Sequence, residues 1–97
     1  MIKSIDTLYN GNYFRSRMEA RWAVFFDEVG IKYQYEPEGF HLGNGLKYLP
    51  DFYLPDFFCY VEVKPQEYLY TNEDEIRKHP DYKKWDLFSK ERPLILL

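Results

Sequence analysis

Cysteine is almost absent from this chain. A lone Cys59 excludes an intramolecular disulfide, and nothing points to an oxidising compartment. No apolar run approaches the length of a membrane span, and Met1-Ile2-Lys3-Ser4-Ile5-Asp6 lacks the apolar centre of a secretory signal. The expectation is a cytoplasmic protein with no membrane partner. Positive charge is also in deficit: 13 Lys and Arg against 16 Asp and Glu leave a net charge of −3, the opposite of a dedicated nucleic-acid coat. Internal repeats, low-complexity segments and linkers are missing, and 97 residues suffice for one domain, residues 1–97, with one modest core.

Aromatic residues are plentiful. Ten Tyr, eight Phe and two Trp make up 21% of the chain, more than surface positions alone would hold, so most must fill the core. Some of the tyrosines could instead mark a dimer surface or a base-stacking platform. Residues 1–12 read as an irregular lead-in with a turn at Asn10-Gly11-Asn12. Phe14, Met18, Trp22, Phe25 and Val29 recur at helical spacing, and Gly30 can end that helix. Residues 31–36 alternate as a strand before Pro37. Gly43-Asn44-Gly45 is a turn leading into residues 46–49, then into a hairpin.

That hairpin joins residues 51–54 to residues 57–64 through Pro55-Asp56, and Pro65 closes it. Residues 73–91 look helical, with Glu73-Asp74-Glu75 at the N-terminus, where negative charge suits the dipole. Ile76, Trp85 and Phe88 are the expected core contacts, and Pro80 breaks or kinks the segment or starts its second half. Arg92-Pro93 stops it before Leu94-Ile95-Leu96-Leu97, a buried strand. An all-apolar terminal strand leaves two readings: a trimmed C-terminus, or a strand held inside a sheet. The order αβββαβ implies an α/β class, a mixed β-sheet of about four strands flanked by helices.

The chemistry concentrates in Pro50-Asp51 and, ten residues beyond Asp51, Glu62-Val63-Lys64. On a strand, residues two apart share a face, so Tyr60, Glu62 and Lys64 lie together while Phe57, Cys59, Val61 and Val63 form the apolar side. Cys59 is thereby a small core residue. A two-residue loop would make Asp51 the diagonal neighbour of Glu62, and a four-residue loop would place the two directly opposite. An odd loop without a bulge would put the carboxylates on opposite faces. Two hard carboxylates can share a Mg²⁺ that keeps most of its waters, with Mn²⁺ able to substitute. A lysine on the same face can orient water or steady developing negative charge. Those residue types suit metal-dependent hydrolysis of a phosphodiester, and no organic cofactor is implied.

Glu19 is the third carboxylate of interest. On a wheel centred on Met18 it lies about 100° from the core axis. Ser16-x-x-Glu19 also spells a capping box, in which Glu19 would bond the N-cap amide. Arg17 and Arg21, four apart, could touch phosphate or form a solvated face. His41 and His79 lack partners at metal-ligand spacing and read as surface or capping histidines.

Three stretches together resemble the PD-(D/E)XK nuclease superfamily, particularly its small phage and prophage members of the Holliday junction resolvase type. They are Arg15-Ser16-Arg17-Met18-Glu19-Ala20-Arg21-Trp22, Tyr48-Leu49-Pro50-Asp51-Phe52-Tyr53-Leu54-Pro55 and Val61-Glu62-Val63-Lys64. The resemblance runs from about Tyr13 to Pro65. It implies a restriction-endonuclease-like core, with Asp51 and Glu62 as metal ligands joined by the Val63 carbonyl. Glu19 becomes the helix carboxylate near the metal, and Lys64 the lysine that orients water. Arg15, Arg17 and Arg21 become candidates for nucleic-acid contact. Gln66 and Tyr70 mimic a Gln-x-x-x-Tyr motif of some relatives but follow the lysine too closely, and no segment within these 97 residues is expected to form the added recognition domain of many relatives.

The implied activity is a Mg²⁺-dependent deoxyribonuclease acting on duplex, branched or nicked DNA during recombination or repair, in a bacterial or phage-infected cytosol. Lys64 is expected to act as a water-orienting and electrostatic group rather than as a general base. Cutting both strands or resolving a junction would call for a homodimer with two sites. RNA remains open as a substrate. The alternative is a catalytically inactive module of the same fold that binds DNA or a protein partner.

Overall fold

Asn10 and Gly11 both adopt positive φ, 50° and 81°, forming the two-residue turn that the right-handed twist of a hairpin favours. They join β1 (Thr7–Tyr9) to β2 (Asn12–Phe14), paired in antiparallel register from Thr7↔Phe14 to Tyr9↔Asn12. The expected irregular lead-in is therefore a hairpin from Thr7 onward, and Asn12 belongs to a strand. A computed structural model describes residues 6–64 and 73–97. The first five residues of the lead-in and the expectations at Pro65, Gln66 and Tyr70 lie outside the described residues.

The first helix, α1 (Arg17–Val29), starts from Ser16, whose hydroxyl accepts the Glu19 N–H at 3.1 Å. It ends at Gly30, whose φ of 76° is the left-handed cap that a glycine takes without strain. Its buried face is Ala20, Ala23 and Phe26, while Phe25 and Val29 are 48% and 53% exposed. The expected stripe was thus rotated, because its first member, Phe14, sits in β2 rather than in the helix. Corrected for that, Glu19 lies in register with Ala23 and Phe26, four and seven residues on, so its side chain is on the inward face. The two alanines let the helix approach closely, and Trp22 packs edge-on against Phe25, 5.6 Å between ring centroids.

Only two residues of the expected strand 31–36 are paired, as β3 (Gln34–Tyr35). Glu36, with φ 46°, turns the chain out of extended geometry. Next, β4 (Phe40–Gly43) and β5 (Leu46–Tyr48) form a separate antiparallel hairpin, with an irregularity between His41 and Gly43. The segment 46–49 is a strand as expected over Leu46–Tyr48, but its partner β4 was not foreseen. Then β6 (Phe52–Leu54) connects to β7 (Cys59–Glu62) through a 3₁₀ turn, Pro55–Phe57, and Phe58 with φ 51°. Leu54 faces Cys59 and Phe52 faces Val61, so the loop spans four residues. Phe57 belongs to the turn and is 60% exposed, not part of the apolar strand face.

Two helices follow, α2 (Glu73–Arg77) and α3 (Tyr82–Ser89), and Pro80 lies between them. The last strand, β8 (Leu94–Leu96), runs parallel to β7. The mixed sheet has the order β3-β6-β7-β8, which makes β8 an edge strand. It is half-buried, with Ile95 46% exposed, rather than enclosed. Around this sheet the elements follow the order α1-β3-β6-β7-α2-α3-β8, an α/β fold with helices on both faces.

Alternation along β6 and β7 sends Phe52, Leu54, Cys59, Val61 and Val63 toward Ala20, Ala23 and Phe26 of α1. The opposite face carries a second cluster around Tyr48, Trp85 and Phe88, with Tyr60, Leu94 and Leu96 packed against it. Ile76, Trp85 and Phe88 all join this cluster, as their spacing predicts. Among the described residues no helix is long and apolar enough to cross a membrane.

Phe52 is fully buried and its ring lies 5.3 Å from Phe26 and 5.6 Å from Tyr33. Phe52→Ala should therefore cost about 3–5 kcal/mol in denaturant unfolding. Phe58→Gly, which removes a 74% exposed ring and relieves positive φ, should be neutral or stabilising by up to about 1 kcal/mol.

Candidate active site

The β6–β7 register fixes the site. With Phe52 opposite Val61, one further step places Asp51 opposite Glu62 on the face away from α1. This is the four-residue-loop arrangement. Asp51 Oδ2 accepts the Val63 N–H at 2.7 Å, and the Asp51 backbone carbonyl accepts the Glu36 N–H at 2.8 Å. The Asp51 and Glu62 carboxyls are close enough for each to act electrostatically on the other. Fully buried Pro50, with its fixed φ, anchors the chain just before Asp51.

Burial first raises the proton affinity of Asp51 well above the ordinary carboxylate range. The charges of Glu62 and Glu19 add to this, while the Val63 N–H opposes it. Glu62 is raised in the same way, chiefly by burial; the Tyr48 hydroxyl bond opposes the rise, and the charges of Asp81 and Glu19 add to it. Glu19 is close enough for its charge to act on both. Its own affinity is raised by burial and lowered by hydrogen bonds from Tyr35 and Ser16. Three carboxyl groups therefore share a partly desolvated region, where two neighbouring negative charges are costly.

Ser16 donates to Glu19 Oε2 at 3.2 Å, and the Tyr35 hydroxyl donates to Glu19 Oε1. The Ser16 hydroxyl caps the helix, but the Glu19 carboxylate bonds two hydroxyls rather than the Ser16 backbone amide. Half of the expected capping box is made, and the carboxylate is left at the sheet end. Tyr35 also accepts the Arg15 N–H at 3.0 Å, tying the start of the helix to β3. On the other side the Tyr48 hydroxyl donates to Glu62 Oε1. Burial raises both tyrosines above their usual range, and Glu19 and Glu62 respectively raise them further, so each hydroxyl remains a donor.

Sequence reasoning missed both tyrosines. Tyr48 stands three residues before Asp51 within the quoted stretch, but the hairpin β4–β5 that turns it toward Glu62 was not evident. Tyr35 carried no signal beyond its place in an alternating strand.

Val63 and Lys64 are held by backbone bonds on the other edge. Lys64 N–H donates to the Leu97 carbonyl at 3.0 Å, and Leu97 N–H donates to the Glu62 carbonyl at 2.9 Å. By alternation the Lys64 side chain shares the face of Glu62 and Tyr60, while Val63 is buried in the α1 cluster. Arg15 is exposed and its Nε pairs with Glu36 at 2.8 Å; Arg17 and Arg21 are exposed on α1. Of the histidines, His41 is exposed and lies on β4 opposite Lys47. His79 is buried, stacked on Trp85 at 4.6 Å, and its Nδ1 accepts the Asp81 N–H at 2.9 Å. It is a capping histidine in the core, not at the surface.

Among the described residues no group of three or more His, Cys, Asp or Glu side chains forms a ready cage for a metal. Asp51 and Glu62 form a pair. A pair of hard oxygen ligands fits a hydrated divalent cation that keeps several waters, unlike a fully protein-ligated zinc. The raised proton affinity of the pair gives such a cation charge to neutralise and a proton to displace.

Both carboxyls hold protons more tightly folded than unfolded. Their stabilising contribution is complete below the unfolded carboxylate range, near about 4, and is lost as pH rises through the raised folded values. In EDTA the thermal midpoint should fall between about pH 5 and pH 8. Each tenfold excess in proton affinity is worth about 1.4 kcal/mol, or about 6–11 °C in a domain of this size. Asp51→Asn should flatten that slope; an equally steep profile in the variant would assign it to other groups.

No protein-family model matches the chain, and no curated protein or solved structure compared with it matches either.

Proposed function

We propose that the chain is a divalent-metal-dependent endonuclease that hydrolyses DNA phosphodiester bonds at the Asp51–Glu62 pair. One observation carries the reading. Two carboxyls from adjacent antiparallel strands meet in a partly desolvated site, the charge of Glu62 raising the proton affinity of Asp51 and each carboxyl answered by a neighbouring donor, with Lys64 two residues beyond Glu62 on the same face. A structural pair of acids would be destabilising in such a place without a cation to bind.

When bound by Asp51 and Glu62, Mg²⁺ or Mn²⁺ supplies an acidified water and neutralises charge on the transition-state phosphate. Asp51 is oriented by the Val63 N–H and Glu62 by the Tyr48 hydroxyl, so neither carboxyl must reorganise on binding. Val63 has its N–H tied to Asp51, which holds its peptide beside the pair, and its carbonyl is the remaining candidate ligand. Lys64 orients the attacking water and donates to the phosphate oxygens as negative charge develops. Glu19, steadied by Tyr35 and Ser16, adds negative potential that favours binding of a divalent cation. Branched or nicked DNA is the proposed substrate, and a homodimer would provide the second site for paired cuts.

Incubation with supercoiled plasmid and Mg²⁺ or Mn²⁺ should give nicked or linear product that EDTA abolishes and Asp51→Asn eliminates. Intact plasmid and intact branched substrates with every metal would overturn the reading and leave an inactive binding module. Lys64→Ala should lower the cleavage rate by roughly 10²–10³-fold while metal affinity, followed by titration calorimetry, stays within a few-fold. Loss of metal binding in that variant would assign Lys64 to holding the site together.

A further inference from the structure

The chain is acidic overall, yet one cleft of about 470 Å³ between the β4–β5 hairpin and α3 has no carboxylate among the described residues of its lining. His41, Lys47 and Lys84 line it, together with Phe40, Tyr48 and Leu49. The hairpin register sets His41 directly opposite Lys47 on one face, and Lys84 approaches from α3. Among the described residues no carboxylate pairs with Lys47 or Lys84, whereas Arg15 is already paired with Glu36. Two other clefts carry acids: Asp27 and Glu36 in one, Asp86 in the other. Just behind the wall, the Arg92 guanidinium lies 4.5 Å from the centre of the Phe40 ring.

The cleft also adjoins the carboxylate pair. Tyr48 lines it and donates its hydroxyl to Glu62, and Leu49, also in the wall, is two residues before Asp51. A polyanion lying along the cleft would approach the Asp51–Glu62 pair past Tyr48, where Asp81 is the nearby acid that Lys47 and Lys84 would have to offset. Its aromatic and aliphatic walls, Phe40 and Leu49, offer apolar contact beside the charges, a combination suited to a sugar–phosphate backbone.

We infer that this cleft binds the phosphodiester backbone of a nucleic-acid strand and leads it to the carboxylate pair, with Lys47 and Lys84 as phosphate contacts. This deepens, and rests on, the nuclease reading of the adjacent site. It shifts the principal cationic contact from Arg15, Arg17 and Arg21 on α1 to the β4–β5 hairpin and α3. Each phosphate contact releases condensed counterions, so the number of contacts is readable from the salt dependence of binding.

The test is fluorescence anisotropy with fluorescein-labelled mixed-sequence single strands and duplexes in EDTA, where cleavage is silent, across a range of salt. The wild type should bind with salt-dependent affinity. The double variant Lys47→Ala/Lys84→Ala should bind the duplex about tenfold or more weakly at low salt, with the log–log salt slope reduced by about 1.8. Lys47→Arg/Lys84→Arg, which keeps the charge, should retain affinity and guards against misfolding, and Arg17→Ala/Arg21→Ala should change it less. Unchanged affinity and slope in the alanine pair would overturn the inference, as would failure of the wild type to bind either oligonucleotide. Plasmid cleavage is scored separately. Binding through the lysines without cleavage sustains the cleft and sinks the nuclease reading; cleavage with unaltered binding in the alanine pair does the reverse.

Discussion

The antiparallel pairing of β6 with β7 carries the whole site, because the four-residue connection between Leu54 and Cys59 sets which side chains share a face. With Leu54 opposite Cys59, the apolar residues Phe52, Leu54, Cys59 and Val61 all meet the α1 cluster, and Asp51 and Glu62 both fall on the other side. A one-residue slip would exchange the faces of one strand, burying a carboxylate under α1 and exposing its apolar set. Core packing thus enforces the register, and the register brings the acids together. The bond from the Val63 N–H to Asp51 Oδ2 closes the arrangement where ladder pairing gives way to the site.

Aromatic packing on both faces keeps the site partly dry. Phe14, Phe26, Phe52, Tyr33 and Tyr35 interlock on the α1 side, and Phe40, Tyr48, Tyr60 and Phe88 on the α3 side. This packing is the first cause of the raised proton affinities of Asp51, Glu62 and Glu19. Two of the same aromatic residues carry a polar end into the site: Tyr35 to Glu19 and Tyr48 to Glu62. The aromatic content therefore builds the core and also supplies donors to its buried acids, in keeping with the amphipathic character of tyrosine.

The Ser16–Glu19 pair illustrates how one local motif divides its work. The serine hydroxyl accepts the Glu19 N–H, which caps the start of the helix, and donates back to the carboxylate. The carboxylate is not used on the Ser16 amide, and its charge acts on Asp51 and Glu62. The C-terminal end is handled by different means. Backbone bonds of Leu97 to Glu62 and Lys64 extend the β7–β8 pairing past the strand itself and brace the Glu-x-Lys triplet on the side opposite Asp51.

Local chemistry alone determined a good part of this protein. Gly30 could end α1, Pro80 could break, kink or restart the later helical segment, and period-two alternation placed Glu62 and Lys64 on one face of a strand. The motif Pro50-Asp51 with Glu62-Val63-Lys64 named the candidate site, since its acids are close in sequence and joined by one turn. Tertiary structure decided the rest. Loop length chose between the diagonal and the facing arrangement of Asp51 and Glu62. The true buried face of α1, set by Ala20, Ala23 and Phe26, brought Glu19 inward. The unforeseen strand β4 created both the Tyr48–Glu62 contact and the basic cleft. These features depend on which surfaces meet across long sequence separations, and local spacing and propensity carry no information about such meetings until the two aromatic clusters have packed.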